Sequence, residues 1–210
     1  MTIVVGVIFF VFPQIDLAVS AIFFKNGHFY LAKTPFIKFL YSYTPLLAIL
    51  TGIFSFISII YMTIQKVDLL FGFRKKIYIF MVLAILVGPG LIVNLVLKEN
   101  FGRARPRDIV EFGGNKEFTR PFSISNQCET NCSFVSGHSS TGFYFCALAL
   151  IFSGRKKKLV FWSGILLGTV IGLVRIIAGG HFASDVYFSF VAVYLSALLL
   201  HYWLFLDEYQ

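Results

Sequence analysis

The chain has 210 residues, of which 58% are hydrophobic and 13% are charged, and its formal net charge is +8. Soluble domains average about 45–50% apolar and about 25% charged residues, so this composition excludes an ordinary soluble domain, a disordered chain and a coiled coil. A membrane-spanning helix needs about 20 apolar residues. We therefore expect residues 1–210 to form one all-α, membrane-embedded domain with about six transmembrane helices.

Six apolar runs follow one another along the chain. The first run, residues 2–12, ends at Pro13, and a helix of that length covers only about half of the hydrocarbon core. It is interpreted as a span that starts upstream of this sequence, with a short re-entrant segment as the alternative. The other five runs are predicted spans, at residues 42–64, 77–97, 136–153, 159–178 and 184–206.

The basic loops between these runs predict how the chain is oriented. Residues 65–76 carry four basic residues against one acid, and residues 154–158 carry four basic residues and no acid. Cytoplasmic loops are enriched in Lys and Arg, which explains the positive charge without a nucleic-acid partner. The predicted topology has both termini in the cytoplasm and places residues 25–41, 98–131 and 179–183 at the outer face.

Glycines in two of the predicted spans indicate how the helices pack. Gly164, Gly168 and Gly172 recur at intervals of four, which places them on one helix face and favours close approach of a neighbouring helix. The sequence Gly88-Pro89-Gly90 lies within the span at residues 77–97 and predicts a kink there.

Ionisable residues collect in three groups at the ends of the predicted spans. Such residues are costly at membrane depth, so they indicate function by default. The groups are Lys98 with Arg105, then Ser136-Gly137-His138, and finally Arg175 with His181 and Asp185. The topology derived from loop charge places all three groups at the same, outer, membrane face.

The residue types in these groups are suited to phosphate chemistry. Cations and free N–H groups at a helix start bind oxyanions. A carboxylate four residues after His181 can hold Nδ1–H of the ring and leave Nε2 free as a nucleophile. A second histidine, His138, can protonate a leaving oxygen. The combination favours phosphoryl transfer through a phosphohistidine intermediate.

Three segments carry a family resemblance. KENFGRARP (residues 98–106), VSGH (135–138) and VRIIAGGHFASD (174–185) resemble the motifs K-x6-R-P, P-S-G-H and S-R-x5-H-x3-D. These motifs are typical of the type 2 phosphatidic acid phosphatase family, which includes the vanadium haloperoxidases. Val135 stands where Pro is usual in the family, and Val174 stands where Ser is usual.

The resemblance implies a role for each matching residue. His181 is expected to be the nucleophile, Asp185 to orient it, and His138 to act as the acid. The phosphate is expected to be held by Lys98, Arg105, Arg175, the Ser136 hydroxyl and the Gly137 N–H. No acidic cluster suited to Mg²⁺ occurs in the sequence, so catalysis without a metal or other cofactor is expected.

The long outer loop supplies further predictions. Cys128 and Cys132 could form a disulfide in an oxidising compartment such as the bacterial periplasm, with metal binding as the alternative. The loop also carries cations that could contact a headgroup but are expected to pair mostly with acids of the same loop. The cations are Arg103, Arg107, Lys116 and Arg120, and the acids are Glu99, Asp108, Glu111, Glu117 and Glu129.

Several substrates and functions remain open from the sequence. The stretches CETNCSFVSGH and GGHFASD are similar to bacterial lipid A phosphatases, which implies removal of a phosphate monoester from lipid A at the inner membrane. Alternative substrates are undecaprenyl pyrophosphate, phosphatidylglycerophosphate and phosphatidate. A phosphotransferase of the same family and a non-catalytic transporter of anionic lipids are the alternative functions. The expected partner is a phosphorylated lipid, and the sequence does not indicate an oligomeric state.

Overall fold

Two short helices, α1 (Thr2–Val11) and α2 (Gln14–Ala21), begin the chain in the computed structural model, which describes residues 2–206 and side chains from residue 4. They meet at an angle of 85°. The break falls at Phe12 and Pro13, where Pro disfavours helical backbone in the preceding residue. This geometry is that of either a broken span or a re-entrant loop. The re-entrant loop is the alternative considered for the first apolar run.

A two-residue hairpin leads from α2 into the first long helix. Strands β1 (Phe24–Lys25) and β2 (His28–Phe29) pair antiparallel, and the turn between them has positive φ at Asn26 and Gly27. Asn-Gly is the preferred pair for such a turn. The helix that follows, α3 (Pro35–Gln65), has 31 residues.

A second hairpin connects α3 to the next long helix. It consists of β3 (Leu69–Leu70) and β4 (Phe73–Arg74). Helix α4 (Lys75–Asn100) then runs for 26 residues, and its segment Leu86–Leu97 is a π-helix. Pro89 lacks an N–H group, which disrupts regular α-helical bonding at the predicted kink. The Asn94 side chain adds a hydrogen bond within this segment, because its Nδ2 donates to the carbonyl oxygen of Pro89 at 2.7 Å.

Three helices complete the bundle: α5 (Gly137–Leu148), α6 (Gly154–Ile177) and α7 (Ala183–Leu204). Within residues 2–206, α3, α4, α6 and α7 are each long and apolar enough to cross a membrane, and α1 with α2 makes a fifth span if counted as one. Helix α5 has 12 residues and is not among these candidates. The helical membrane fold is confirmed, but the predicted number of about six spans is not.

The glycine face of α6 packs as predicted. A Cβ atom on Gly164 would lie 2.3 Å from the backbone nitrogen of Cys146, and one on Gly168 would lie 2.2 Å from the Phe143 ring. Gly172 is similarly close to Val186 of α7. The absent side chains therefore let α6 approach both α5 and α7.

The two ends of the bundle differ in character. At one end, β4 meets the segment after α5, where the rings of Phe73 and Phe152 are 6.0 Å apart. At the other end, Tyr41 near the start of α3 stacks on His138 at the start of α5, with ring centroids 4.3 Å apart. The end of α4, the end of α6 and the start of α7 lie at this second end, which therefore gathers the three predicted groups.

Candidate active site

The predicted site residues come together at one end of the bundle. Lys98, Arg105 and Arg175 are close enough to His138 for their charges to act on it, and Arg105 and Arg175 also act on His181. All of the predicted phosphate-binding and catalytic residues are buried except His138, which is half-buried. The structure thus assembles a buried, strongly cationic cluster around two histidines.

His181 lies in the turn between α6 and α7 and is held through Nδ1. This nitrogen donates to the backbone carbonyl oxygen of Ser133 at 2.7 Å, whereas the nearest carboxylate oxygen of Asp185 is 3.8 Å away. Engagement of Nδ1–H leaves Nε2 as the nitrogen with the lone pair. Burial lowers the pKa of His181 to about 3, so the ring is neutral at physiological pH.

Asp185 lies beside His181 but makes its short hydrogen bonds to other groups. Its carboxylate accepts from the Ser133 hydroxyl at 2.5 Å and from the Phe182 N–H at the start of α7 at 2.8 Å. It also pairs with Arg103 at 2.5 Å. Asp185 fixes the Ser133 segment, and the Ser133 carbonyl makes the direct hydrogen bond to His181.

Arg103 links the active-site end to the first helices. Its guanidinium pairs with Asp16 of α2 at 2.8 Å as well as with Asp185, and it lies 4.2 Å from the centre of the Phe182 ring. Asp16 also accepts from the N–H of Ser184 at 2.8 Å. The expectation that loop cations pair with acids of the same loop is wrong for Arg103, because both of its carboxylate partners lie outside that loop.

Arg105 and Arg175 are the cations best placed to bind an oxyanion. Arg105 donates through Nε and Nη2 to the carbonyl oxygen of Asn131, at 3.2 and 2.6 Å, which leaves Nη1 for a ligand. The Arg175 guanidinium lies 4.6 Å from the centre of the Tyr41 ring. Its Nε atom is buried and has no hydrogen-bond partner among the described residues. A buried donor of this kind is costly unless a ligand accepts from it.

The start of α5 supplies the predicted N–H groups. Ser136 caps the helix, and its hydroxyl accepts from the N–H of Ser139 at 3.4 Å and contacts the Ser139 hydroxyl at 2.8 Å. A Cβ atom on Gly137 would lie 2.5 Å from Asn94 Oδ1, so no other residue fits there without displacing Asn94. The Ser136 hydroxyl acts here as a helix cap, and its contact with phosphate stays a prediction.

Two cysteines enclose the segment beside these residues. Cys128 and Cys132 form a disulfide. Of the two options that the sequence left open, the structure therefore has the disulfide and not a metal site at these cysteines. Asn131, which accepts from Arg105, lies between them, and Ser133 follows Cys132 directly. The disulfide therefore closes a short loop next to the carbonyl groups that hold Arg105 and His181.

A cavity of about 960 Å³ opens beside the cationic cluster. Arg105 and Arg175 line it together with Tyr41, and the β1–β2 hairpin also contributes to its wall. Val174, which stands where the family has Ser, also lines this cavity, so an apolar side chain replaces a hydroxyl there. Val135, which stands where the family has Pro, is fully buried.

Sequence reasoning missed four residues that shape this site. Tyr41 and Ser133 carry no motif and are recognisable only from their contacts. Asn131 accepts from Arg105 through its backbone carbonyl. Every residue has such a group, so the residue type gives no indication of this contact. Asp16 did leave a signal, because a carboxylate within an apolar segment indicates a specific partner.

Comparisons with known proteins show which family the chain resembles. A family model described as the PAP2 superfamily matches residues 77–208. A lipid A 4′-phosphatase of Francisella tularensis subsp. novicida (strain U112) is 37% identical over 205 residues, which cover 93% of this chain and 88% of that relative. No solved structure is significantly similar to the chain.

Two further relatives from Rhizobium etli match over shorter stretches. A lipid A 4′-phosphatase is 37% identical over 119 residues, 55% of this chain and 46% of the relative. A lipid A 1-phosphatase is 41% identical over 101 residues, 48% of this chain and 39% of the relative. The chain thus aligns with less than half the length of each of these two proteins.

Proposed function

Because this chain belongs to the PAP2 superfamily, we propose that it is a membrane phosphatase that removes a phosphate monoester from a lipid headgroup. The observation that carries the proposal is the convergence of Lys98, Arg105 and Arg175 on His138, beside a buried neutral His181. Three cations around two imidazoles match a phosphate dianion and a nucleophile with its acid.

The proposed reaction has two steps. Burial and the three nearby cations lower the pKa of His138 to about 4 in the unliganded protein, and the negative charge of the bound phosphate dianion offsets these cations so that His138 takes up a proton before the reaction. His181 Nε2 then attacks phosphorus, the N–P bond forms as the P–O bond to the lipid breaks, and His138 gives its proton to the leaving oxygen. A water molecule then attacks phosphorus, the new O–P bond forms as the N–P bond to His181 breaks, His138 takes the proton from the water, and inorganic phosphate leaves. The three cations neutralise the charge on the equatorial oxygens throughout. The chain supplies this positive charge itself, so the proposed reaction needs no metal or other cofactor.

Lipid A is the proposed substrate. The relatives named above are lipid A phosphatases, and the names 4′-phosphatase and 1-phosphatase indicate that lipid A carries phosphate at both positions. The relative that matches nearly the whole chain is a 4′-phosphatase, which favours the 4′ position. This choice also implies the bacterial inner membrane, with the active site facing the periplasm. The basic loops at residues 65–76 and 154–158 favour a cytoplasmic location for both termini.

Phosphate release in neutral detergent tests the proposal. The purified protein is given lipid A, undecaprenyl pyrophosphate, phosphatidylglycerophosphate or phosphatidate, with and without chelator. We expect release from lipid A that survives chelator and is lost in His181→Ala. His201→Ala is the matched control, since His201 stacks on Phe205 at the other end of the bundle and its loss should leave the rate largely intact.

A trapping experiment separates the alternatives. Rapid quenching with radiolabelled lipid A should give a label on His181 that is stable to alkali and labile to acid. Phosphate that appears on a second lipid instead of in solution would identify a phosphotransferase. The absence of both release and label with every lipid would contradict the proposal and favour a non-catalytic lipid-binding protein.

A further inference from the structure

The cavity beside the cationic cluster is far larger than one phosphate group requires. Its volume of about 960 Å³ is at the upper end of the range for pockets that bury whole small ligands. Arg105 and Arg175 are only two of its lining residues. Much of the remaining lining comes from the β1–β2 hairpin, the start of α3 and Arg107, none of which belongs to a family motif.

Further cations line this second part of the cavity. They are Lys33, just before α3, Lys38 in its first turns, and Arg107. No residue that lines the cavity is acidic. Within the described chain, neither lysine forms an ion pair. Arg107 has only a long contact of 3.8 Å with Asp108, at a half-exposed position, where such a pair contributes little.

The second part of the cavity is fixed relative to His181. The Arg107 N–H donates to the carbonyl oxygen of Gly179 at 3.1 Å, in the turn that leads to His181. Gly179 also packs against the hairpin, because a Cβ atom there would lie 2.5 Å from the Phe29 ring. The hairpin and Arg107 are thus both attached to the turn that carries the nucleophile.

Aromatic side chains form part of the cavity wall. Phe24 and Phe29 of the hairpin and Phe112 of the outer loop pack against one another, with ring centroids 5.2–5.6 Å apart. All three line the cavity, as does Tyr30. A wall of this kind suits the C–H faces of a sugar, whereas an acyl chain would be disfavoured by the surrounding cations.

From these features we infer that Lys33, Lys38 and Arg107 form a second anion site, which binds the other phosphate of a bisphosphorylated glycolipid headgroup. The first phosphate lies on Arg105 and Arg175, and the sugar lies against the aromatic wall. The inference rests on the proposed function, and it adds a preference for substrates with two separate phosphates. Charge-assisted hydrogen bonds from Lys and Arg supply the recognition.

The test compares two substrates that differ only in the second phosphate. The kcat/KM for bisphosphorylated lipid A is measured beside that for lipid A with the 4′-phosphate alone. Neutral detergent micelles are used, so that no other lipid supplies an anion. In the triple variant Lys33→Gln, Lys38→Gln, Arg107→Gln, we expect kcat/KM to fall about tenfold or more for the bisphosphorylated lipid and less than about twofold for the other.

Two controls separate charge from folding. Lys116→Gln removes an exposed positive charge that lies in the same outer loop as Arg107 but outside the cavity. The kcat/KM for each of the two lipids should stay near the wild-type value. Lys33→Arg with Lys38→Arg keeps the charges and should keep the preference for the bisphosphorylated lipid. An equal loss with both substrates in the triple variant would overturn the second site while leaving the phosphatase intact. An inactive wild-type protein would overturn the proposed function and the second site together.

Discussion

The carbonyl oxygen of Ser133 lies 2.7 Å from His181 Nδ1, and the hydroxyl of the same serine donates to Asp185 at 2.5 Å. Ser133 therefore connects the Asp185 carboxylate to the ring of His181, the proposed nucleophile. The arrangement leaves His181 dependent on the segment that joins the disulfide loop to α5. This dependence leads to the first prediction.

Reduction of the Cys128–Cys132 disulfide should lower activity. A loop this short contributes about 2 kcal/mol through the entropy of the unfolded chain, and its opening frees the backbone of Asn131 and Ser133 that holds Arg105 and His181. We expect reductant to lower both the rate of phosphate release and the Tm of the wild-type protein. Cys128→Ser with Cys132→Ser should show the lower values without reductant and no further response to it. A wild-type rate in that variant would show that the disulfide is dispensable.

Loss of the Asp16 carboxylate should destabilise the fold. Asp16→Ala leaves the buried guanidinium of Arg103 with Asp185 as its remaining carboxylate partner and removes the acceptor of the Ser184 N–H. Breaking a buried ion pair costs about 3–5 kcal/mol. Thermal unfolding in detergent should show a large fall in Tm, whereas the exposed Asp68→Asn should unfold like wild type. Equal Tm values for the two variants would argue against a structural role for Asp16.

The ring of Tyr41 should matter more than its hydroxyl. The ring stacks on His138 and lies against the Arg175 guanidinium, and aromatic and cation–π contacts contribute about 1 kcal/mol each. We expect Tyr41→Ala to lower kcat about tenfold or more, because both groups lose a contact that positions them. Tyr41→Phe keeps the ring and should stay near wild type. A similar loss in both variants would instead assign the role to the hydroxyl.

The stability of the protein should depend on the protonation of His181. Burial lowers the pKa of His181 to about 3, against about 6.5 in an unfolded chain. The unfolded chain therefore binds the extra proton between these values, so this contribution is fully present above about pH 6.5 and falls by about 1.4 kcal/mol per pH unit below it. Unfolding measured from pH 4.5 to 7.5 should show a shallower dependence in His181→Gln. The same slope in both proteins would contradict a buried, neutral His181.

The sequence was sufficient to predict the class of reaction, the family and the helical membrane fold. Apolar runs of sufficient length indicate helices in lipid, because backbone groups have no other partners there. Three charged groups at the ends of these runs identify Lys98, Arg105, Arg175 and both histidines as one site. The α6 glycine face was also predictable, because spacing of four residues repeats on one side of a helix.

Only the tertiary structure revealed how the active site is held together. Hydrogen bonds between residues far apart in sequence leave no periodic pattern, so the role of the Ser133 carbonyl and the pairing of Arg103 with Asp16 could not be predicted. The spacing of His181 and Asp185 suggested a direct hydrogen bond, but the turn before α7 places the Ser133 carbonyl nearer to the ring. The sequence determined which groups are proposed to carry the chemistry, since residue type decides charge and nucleophilicity. The fold decided which neighbours orient those groups, since orientation depends on distances that only packing sets.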